Sequence, residues 1–121
     1  MRFDIAYGRI TPLLIATGMP QSTAYLDVGD TTLDVHMGWS FKASIPLASI
    51  TSVETLDRKV ISIGVHGWNG RWLVNGRRDQ LVQITIDPAV KAKAVLYPIK
   101  LRELTVSVDN RDEFVRVLQV G

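Results

Sequence analysis

Apolar residues at every second position, in short runs broken by turn residues, constrain this chain more than any other feature. That period is how half-buried β-strands read. Residues 32–37 set Leu33, Val35 and Met37 against Asp34 and His36, and residues 41–45 set Phe41, Ala43 and Ile45 against Lys42 and Ser44. Residues 81–86 place Val82, Ile84 and Ile86 inward with Gln83 and Thr85 outward. A separate run, 90–96, sets Val90, Ala92, Ala94 and Leu96 against Lys91 and Lys93. Residues 104–108 repeat the pattern, with Thr105 and Ser107 facing water. Further strands are expected at 3–7, 13–16, 24–28, 52–56, 60–65 and 71–74.

Turn chemistry separates these runs. Gly29-Asp30 predicts a tight hairpin with Gly at positive φ, Asn75-Gly76 predicts a type I′ turn, and Asp87-Pro88 predicts the end of a strand. The period changes near the C-terminus. Phe114, Val117 and Leu118 fall at i, i+3 and i+4, so a helix is expected over about 110–119. Asn110 suits its N-cap, Glu113 completes a capping box, and Asp112 with Arg116 makes an i,i+4 pair. The expected fold is mainly β: an antiparallel barrel or sandwich of about seven or more strands, closed by this one helix. At 121 residues, 1–121 reads as a single domain, with 1–20 supplying an extra strand or an arm.

Two stretches resemble the bacterial pleckstrin-homology-like (PH-like) families. Residues 41–54, Phe-Lys-Ala-Ser-Ile-Pro-Leu-Ala-Ser-Ile-Thr-Ser-Val-Glu, look like the passage where a strand ends in Ile-Pro, turns, and re-enters the sheet through Ile50 and Val53. Residues 104–118 are similar to the last strand and closing helix of those domains. Between them, residues 65–76, with Gly67-Trp68 and Gly70-Arg71-Trp72, look like a Gly- and Trp-containing hairpin common in small bacterial PH-like proteins. The resemblance is clearest over 24–121. It implies a PH-like fold and a binding role, with ligands ranging from phosphoinositides to protein surfaces, and fold alone does not choose among them. The loop joining the first two strands, whether 29–31 or 8–20, carries at most Arg9. That counts against specific phosphoinositide recognition.

Charge is unevenly spread. Net charge is +2, yet residues 58–102 hold nine basic residues against Asp79 and Asp87, leaving the rest of the chain acidic. Four of the nine glycines lie within 64–76, interleaved with Trp68, Trp72 and Arg71 and followed by Arg77 and Arg78. Solvated strand faces and tight hairpins account for this plainly; a phosphate- or membrane-facing loop is the sharper reading. The expected binding residues are Trp68, Arg71, Arg77 and Arg78, with Lys91 and Lys93 as a second basic strip. Lys91, Lys93 and Tyr97 share one face by alternation, with Lys100 and Arg102 following, a pattern too weak to predict a nucleic-acid partner.

Enzymatic chemistry finds little footing. No Cys is present, and His36 and His66 lack the spacing of a metal motif. No GxSxG or P-loop occurs, and Asp27, Asp30 and Asp34 are spaced like strand and turn acids. The expectation is a non-enzymatic module without metal or cofactor, recognising a protein partner or an anionic membrane surface. A small β-barrel carrier of an apolar ligand is the alternative. Residues 13–16 are far too short to span a bilayer, and Asp4 sits where a signal peptide needs an apolar run. A cytoplasmic location is therefore expected, and an unpaired strand edge makes self-association plausible.

Overall fold

The computed structural model describes residues 1–8, 17–57, 59–60 and 64–120. Among these, nine strands form one sheet: β1 (Arg2–Asp4), β2 (Ala24–Val28), β3 (Thr32–Met37), β4 (Phe41–Pro46), β5 (Ile50–Leu56), β6 (Gly64–Trp68), β7 (Arg71–Asn75), β8 (Leu81–Ala94) and β9 (Tyr97–Ser107). Among the described residues one α-helix, α1 (Arg111–Val120), follows the last strand. The expected 13–16 strand and half of the expected 60–65 strand, residues 61–63, lie outside the described residues.

The spatial order is β1-β2-β3-β4-β8-β9-β7-β6, with β5 also on β8. β8 organises the whole. Its first half pairs with β5 from Leu81 to Ile86, and its second half pairs with β4 from Ala92 to Ala94. Between the halves its register against β9 slips, from Thr85 to Val90. Such an irregularity bends a strand and increases its twist, which lets one sheet turn over on itself. Inward residues of β2–β4 (Leu26, Val35, Phe41) and of β7–β9 (Val74, Ile84, Leu104) then meet in a single core. The result is sandwich-like. Among the described residues the ladder does not close into a barrel; the single bridges Ile5–Val108 and Tyr7–Gly76 tie the chain after β1 to the far strands.

Several expectations are corrected. Asp87-Pro88 does not end a strand, because the slip in register places it in the bulged stretch of β8. Leu96 does not point inward: it sits in the two-residue turn between β8 and β9 and is exposed. That turn breaks the alternation, so Tyr97 opposes Ala94 and leaves the face of Lys91 and Lys93. The sheet is not wholly antiparallel, since β7 runs parallel to β9. Alternation reports which way side chains point and says nothing of pairing partners.

Ser107 does not face water. Its hydroxyl donates to the Ala6 carbonyl (2.9 Å) and accepts from the Gly76 N–H (3.0 Å), buried under the chain that follows β1. Among the described residues of the first twenty, Phe3, Ile5, Ala6 and Met19 are buried and belong to the core.

The chain contains two Asn-Gly pairs, and the hairpin uses the other one. Asn69 and Gly70, with φ of 54° and 82°, make the two-residue turn closed by Trp68 and Arg71. Asn75 ends β7, and neither it nor Gly76 takes positive φ; Gly29 does not either. Helix α1 departs from its expected cap too. Asn110 lies at φ 56°, outside the extended conformation of an N-cap. Glu113 binds Arg116 (3.0 Å), one residue nearer along the chain than the expected Asp112. A guanidinium fork competes better for that carboxylate than a backbone N–H does.

Candidate functional site

Outward positions of three neighbouring strands build a basic face. Alternation in β4 sends Lys42 and Ser44 out, β8 sends Lys91 and Lys93 out, and β9 sends Pro98, Lys100 and Arg102 out. Register then makes the pattern sharper. Lys42 stands directly opposite Lys93, and Lys91 directly opposite Lys100. Cβ atoms so placed lie about 5 Å apart, and like charges in that position destabilise a sheet by up to about 1 kcal/mol per pair. Among the described residues, none of Lys42, Lys91, Lys93, Lys100 or Arg102 forms an ion pair, while the chain's ion pairs use other groups. Two like-charged pairs without a carboxylate between them present a surface that an outside anion would relax.

The face has a graded border. Asp34 and Asp27 oppose each other on β3 and β2, so the same side of the sheet turns acidic away from β4. A shallow depression of about 520 Å³ lies across the border, lined by Asp34, His36, Lys42, Lys91, Lys93 and Pro98. His36 stacks on Tyr25 at 4.8 Å, and the Arg2 guanidinium lies 4.2 Å from the Tyr25 ring centre.

Burial, and next the Lys42 cation, push the His36 imidazole below its usual 6.5, with Asp34 pulling the other way. Held neutral in the folded chain, His36 takes its proton first in the unfolded chain as pH falls. Stability present above pH 6.5 is therefore lost as pH falls through the folded value. Urea midpoints at about pH 7.5 and about pH 5.5 should differ less in His36→Gln than in the parent chain. Identical pH slopes in the two chains would remove His36 as a cause.

The β6–β7 hairpin borders the basic face on its other side. Its turn is held by the Gly70 carbonyl, which accepts from the N–H groups of Arg102 (2.8 Å) and Glu103 (3.1 Å). A cleft of about 460 Å³ separates Trp68 and Trp72 from Ile99, Lys100 and Arg102. Trp72 leans on Phe41 in the core, with ring centres 6.5 Å apart. Trp68 covers nothing: it is 84% exposed. Arg71 is held 3.7 Å from Glu103 across the parallel ladder.

The structure thus divides the residues expected from sequence. Lys91, Lys93 and Trp68 come together around Lys100 and Arg102, with Arg71 beside them. Arg77 and Arg78 do not join. They follow the far end of β7, and six residues of extended chain put Arg77 roughly 20 Å from Arg71. Arg77 is moreover tied to Asp79, whose carboxyl that contact holds below its ordinary range. Sequence reasoning left Lys42 out of the site. Its outward position was legible, but the pairing of β4 with a strand fifty residues away was not.

No helix among the described residues is long and apolar enough to cross a membrane, and none of their His, Asp and Glu side chains cluster in a way that would hold a metal ion. Scans against protein-family models, curated proteins and solved structures found no match for this chain.

Proposed function

We propose that this chain is a non-enzymatic docking module of PH-like plan, which holds to an anionic membrane surface through Lys42, Lys91, Lys93, Lys100 and Arg102. One observation carries the reading: two directly opposed lysine pairs on one sheet face, with no ion pair among them. Near an anionic bilayer each lysine contributes about 1 kcal/mol, so the four together are worth roughly a thousandfold in affinity. The order of strands, ending in one amphipathic helix against β5 and β8, supports the PH-like plan. The extra strand β1 and the parallel β7–β9 pair depart from it. A cytoplasmic location fits this role, because the inner leaflet carries the anionic lipids.

Co-sedimentation with neutral phosphatidylcholine vesicles, and with vesicles containing one third phosphatidylserine, tests the reading across a salt series. Binding should require phosphatidylserine and weaken as salt rises. Lys42→Glu with Lys93→Glu should lower affinity at least about tenfold. It should leave stability unchanged or reduced by only a few tenths, since one like-charged pair replaces another. Arg77→Glu with Arg78→Glu changes net charge equally and should matter far less. Equal weakening by both double variants would mean that net charge, and not this face, binds the membrane.

A further inference from the structure

One end of the sheet carries a feature that folding disfavours twice. The β8–β9 connection is the two-residue turn Val95-Leu96, closed by the Ala94–Tyr97 pair, and its φ angles are 51° and 68°. Such a turn favours Asn-Gly, and this chain uses Asn-Gly for the same geometry at residues 69 and 70. A β-branched residue at positive φ is a conformational outlier, and strain of this kind concentrates at functional sites. The side chains placed there are also apolar and face water: Leu96 is 72% exposed and Tyr97 74%.

The turn does not stand alone. The Val95 N–H donates to the Ser40 carbonyl at 2.7 Å, which docks it on the β3–β4 turn. That turn presents Trp39, half exposed, with its indole N–H satisfied by the Thr17 carbonyl at 2.9 Å. Directly behind the apolar tip stand Lys93 and Lys42, opposed across the ladder. Lys93 precedes Val95 by two residues, roughly 7 Å along an extended strand. Apolar side chains at the tip and ammonium groups one step back match the depth profile of a bilayer interface, where apolar groups enter about 5–10 Å and cations meet phosphate. Trp and Tyr favour that boundary. A protein partner fits less well. Lysines are depleted at protein interfaces, and four tip residues fall short of the 20–30 per side, about 800 Å² per partner, of a standard interface.

Resting on the membrane reading above, we infer that the Val95-Leu96 turn, flanked by Trp39 and Tyr97, inserts into the headgroup–acyl boundary of bilayers containing anionic lipid. The lysine face brings the tip to the surface, and insertion lengthens its stay.

The test replaces the tip with the residues its geometry favours. Val95→Asn with Leu96→Gly should fold at least as stably as the parent, with an equal or higher Tm, yet bind phosphatidylserine vesicles about ten- to a hundredfold more weakly. Because the chain has no cysteine, Leu96→Cys gives a unique site for an environment-sensitive dye. Its emission should shift to the blue on phosphatidylserine vesicles, whereas a dye on Lys59→Cys should not respond. Salt-sensitive binding that survives in the double variant, with the dye at position 96 still in water, would overturn insertion and leave surface docking standing. A parent chain that ignores anionic vesicles would overturn both. A concentration-dependent dimer, abolished by the same double variant, would assign the tip to a second copy of the chain and overturn insertion.

Discussion

Replacing Phe114 with alanine should cost about 3–5 kcal/mol of stability, the range for removing a fully buried phenylalanine. The residue is completely buried, and its ring meets Phe3 edge-on, with centres 5.2 Å apart and planes at 73°. Removing it empties the space between α1 and β1 together, and the aromatic pair accounts for about 0.5–1.5 kcal/mol of the loss. A ten-residue helix is too short to persist in water by itself, so α1 depends on what it touches. Among its described residues Phe114 is the one fully buried side chain; Val115, Val117 and Leu118 only lean on the core. Arg111 adds a polar anchor, donating to the Leu56 carbonyl at 3.1 Å. Urea denaturation of Phe114→Ala beside Gln119→Ala measures the effect. Gln119 is exposed and donates to the Val53 carbonyl at 3.3 Å, so its loss should cost under about 1 kcal/mol. Equal costs for the two variants would mean that α1 is a peripheral strap and not a closing element of the core.

How much of this was legible in the sequence depends on the range of the interaction. The alternation of β3 and β4 gave correct inward faces: Leu33, Val35, Met37, Phe41 and Ile45 are all fully buried. The same reasoning erred at Ser107, because burial there comes from the chain after β1, about a hundred residues earlier, and not from the local pattern. It erred at residues 87–88 because a bulge lets one strand continue where local chemistry favours an end. The basic face was half legible. Outward lysines on β4 and β8 can be read from alternation, yet their opposition across a ladder cannot, and the opposition is what concentrates the charge. Arg77 and Arg78 followed Trp68 closely in sequence and so looked like neighbours. An extended strand carried them to the other end of β7.

Gly76→Ala should destabilise the chain by about 3 kcal/mol or more, at the upper end of overpacking effects. A Cβ on Gly76 would fall 2.0 Å from Tyr7 Cδ1 and 2.6 Å from the Ala6 carbonyl oxygen. Rotation of the tyrosine relieves the first clash and not the second, since Ala6 offers backbone. Gly76 does not need positive φ, so the cost is one of space alone. Alanine even restricts the unfolded chain, which returns about 0.4–1 kcal/mol. What the methyl group disrupts is the stitch joining the chain after β1 to the far strands: Gly8 N–H to Gly76 carbonyl at 3.1 Å, and Gly76 N–H to Ser107 hydroxyl. Tyr7 supplies an independent readout. Its hydroxyl donates to the Met19 carbonyl at 2.6 Å, and burial pushes its pKa from the ordinary 10.0 up to about 12. Stability from the neutral phenol is thus complete below pH 10 and is lost as pH rises toward 12. In Gly76→Ala the displaced ring should ionise at lower pH, visible as an earlier tyrosinate absorbance step that Tyr7→Phe abolishes. A double-mutant cycle with Tyr7→Ala should be strongly non-additive, because removing the ring vacates much of the space the methyl group needs. Additive costs, with the Tyr7 step unmoved, would show that the core accommodates the methyl group elsewhere and that the first residues are held by β1 alone.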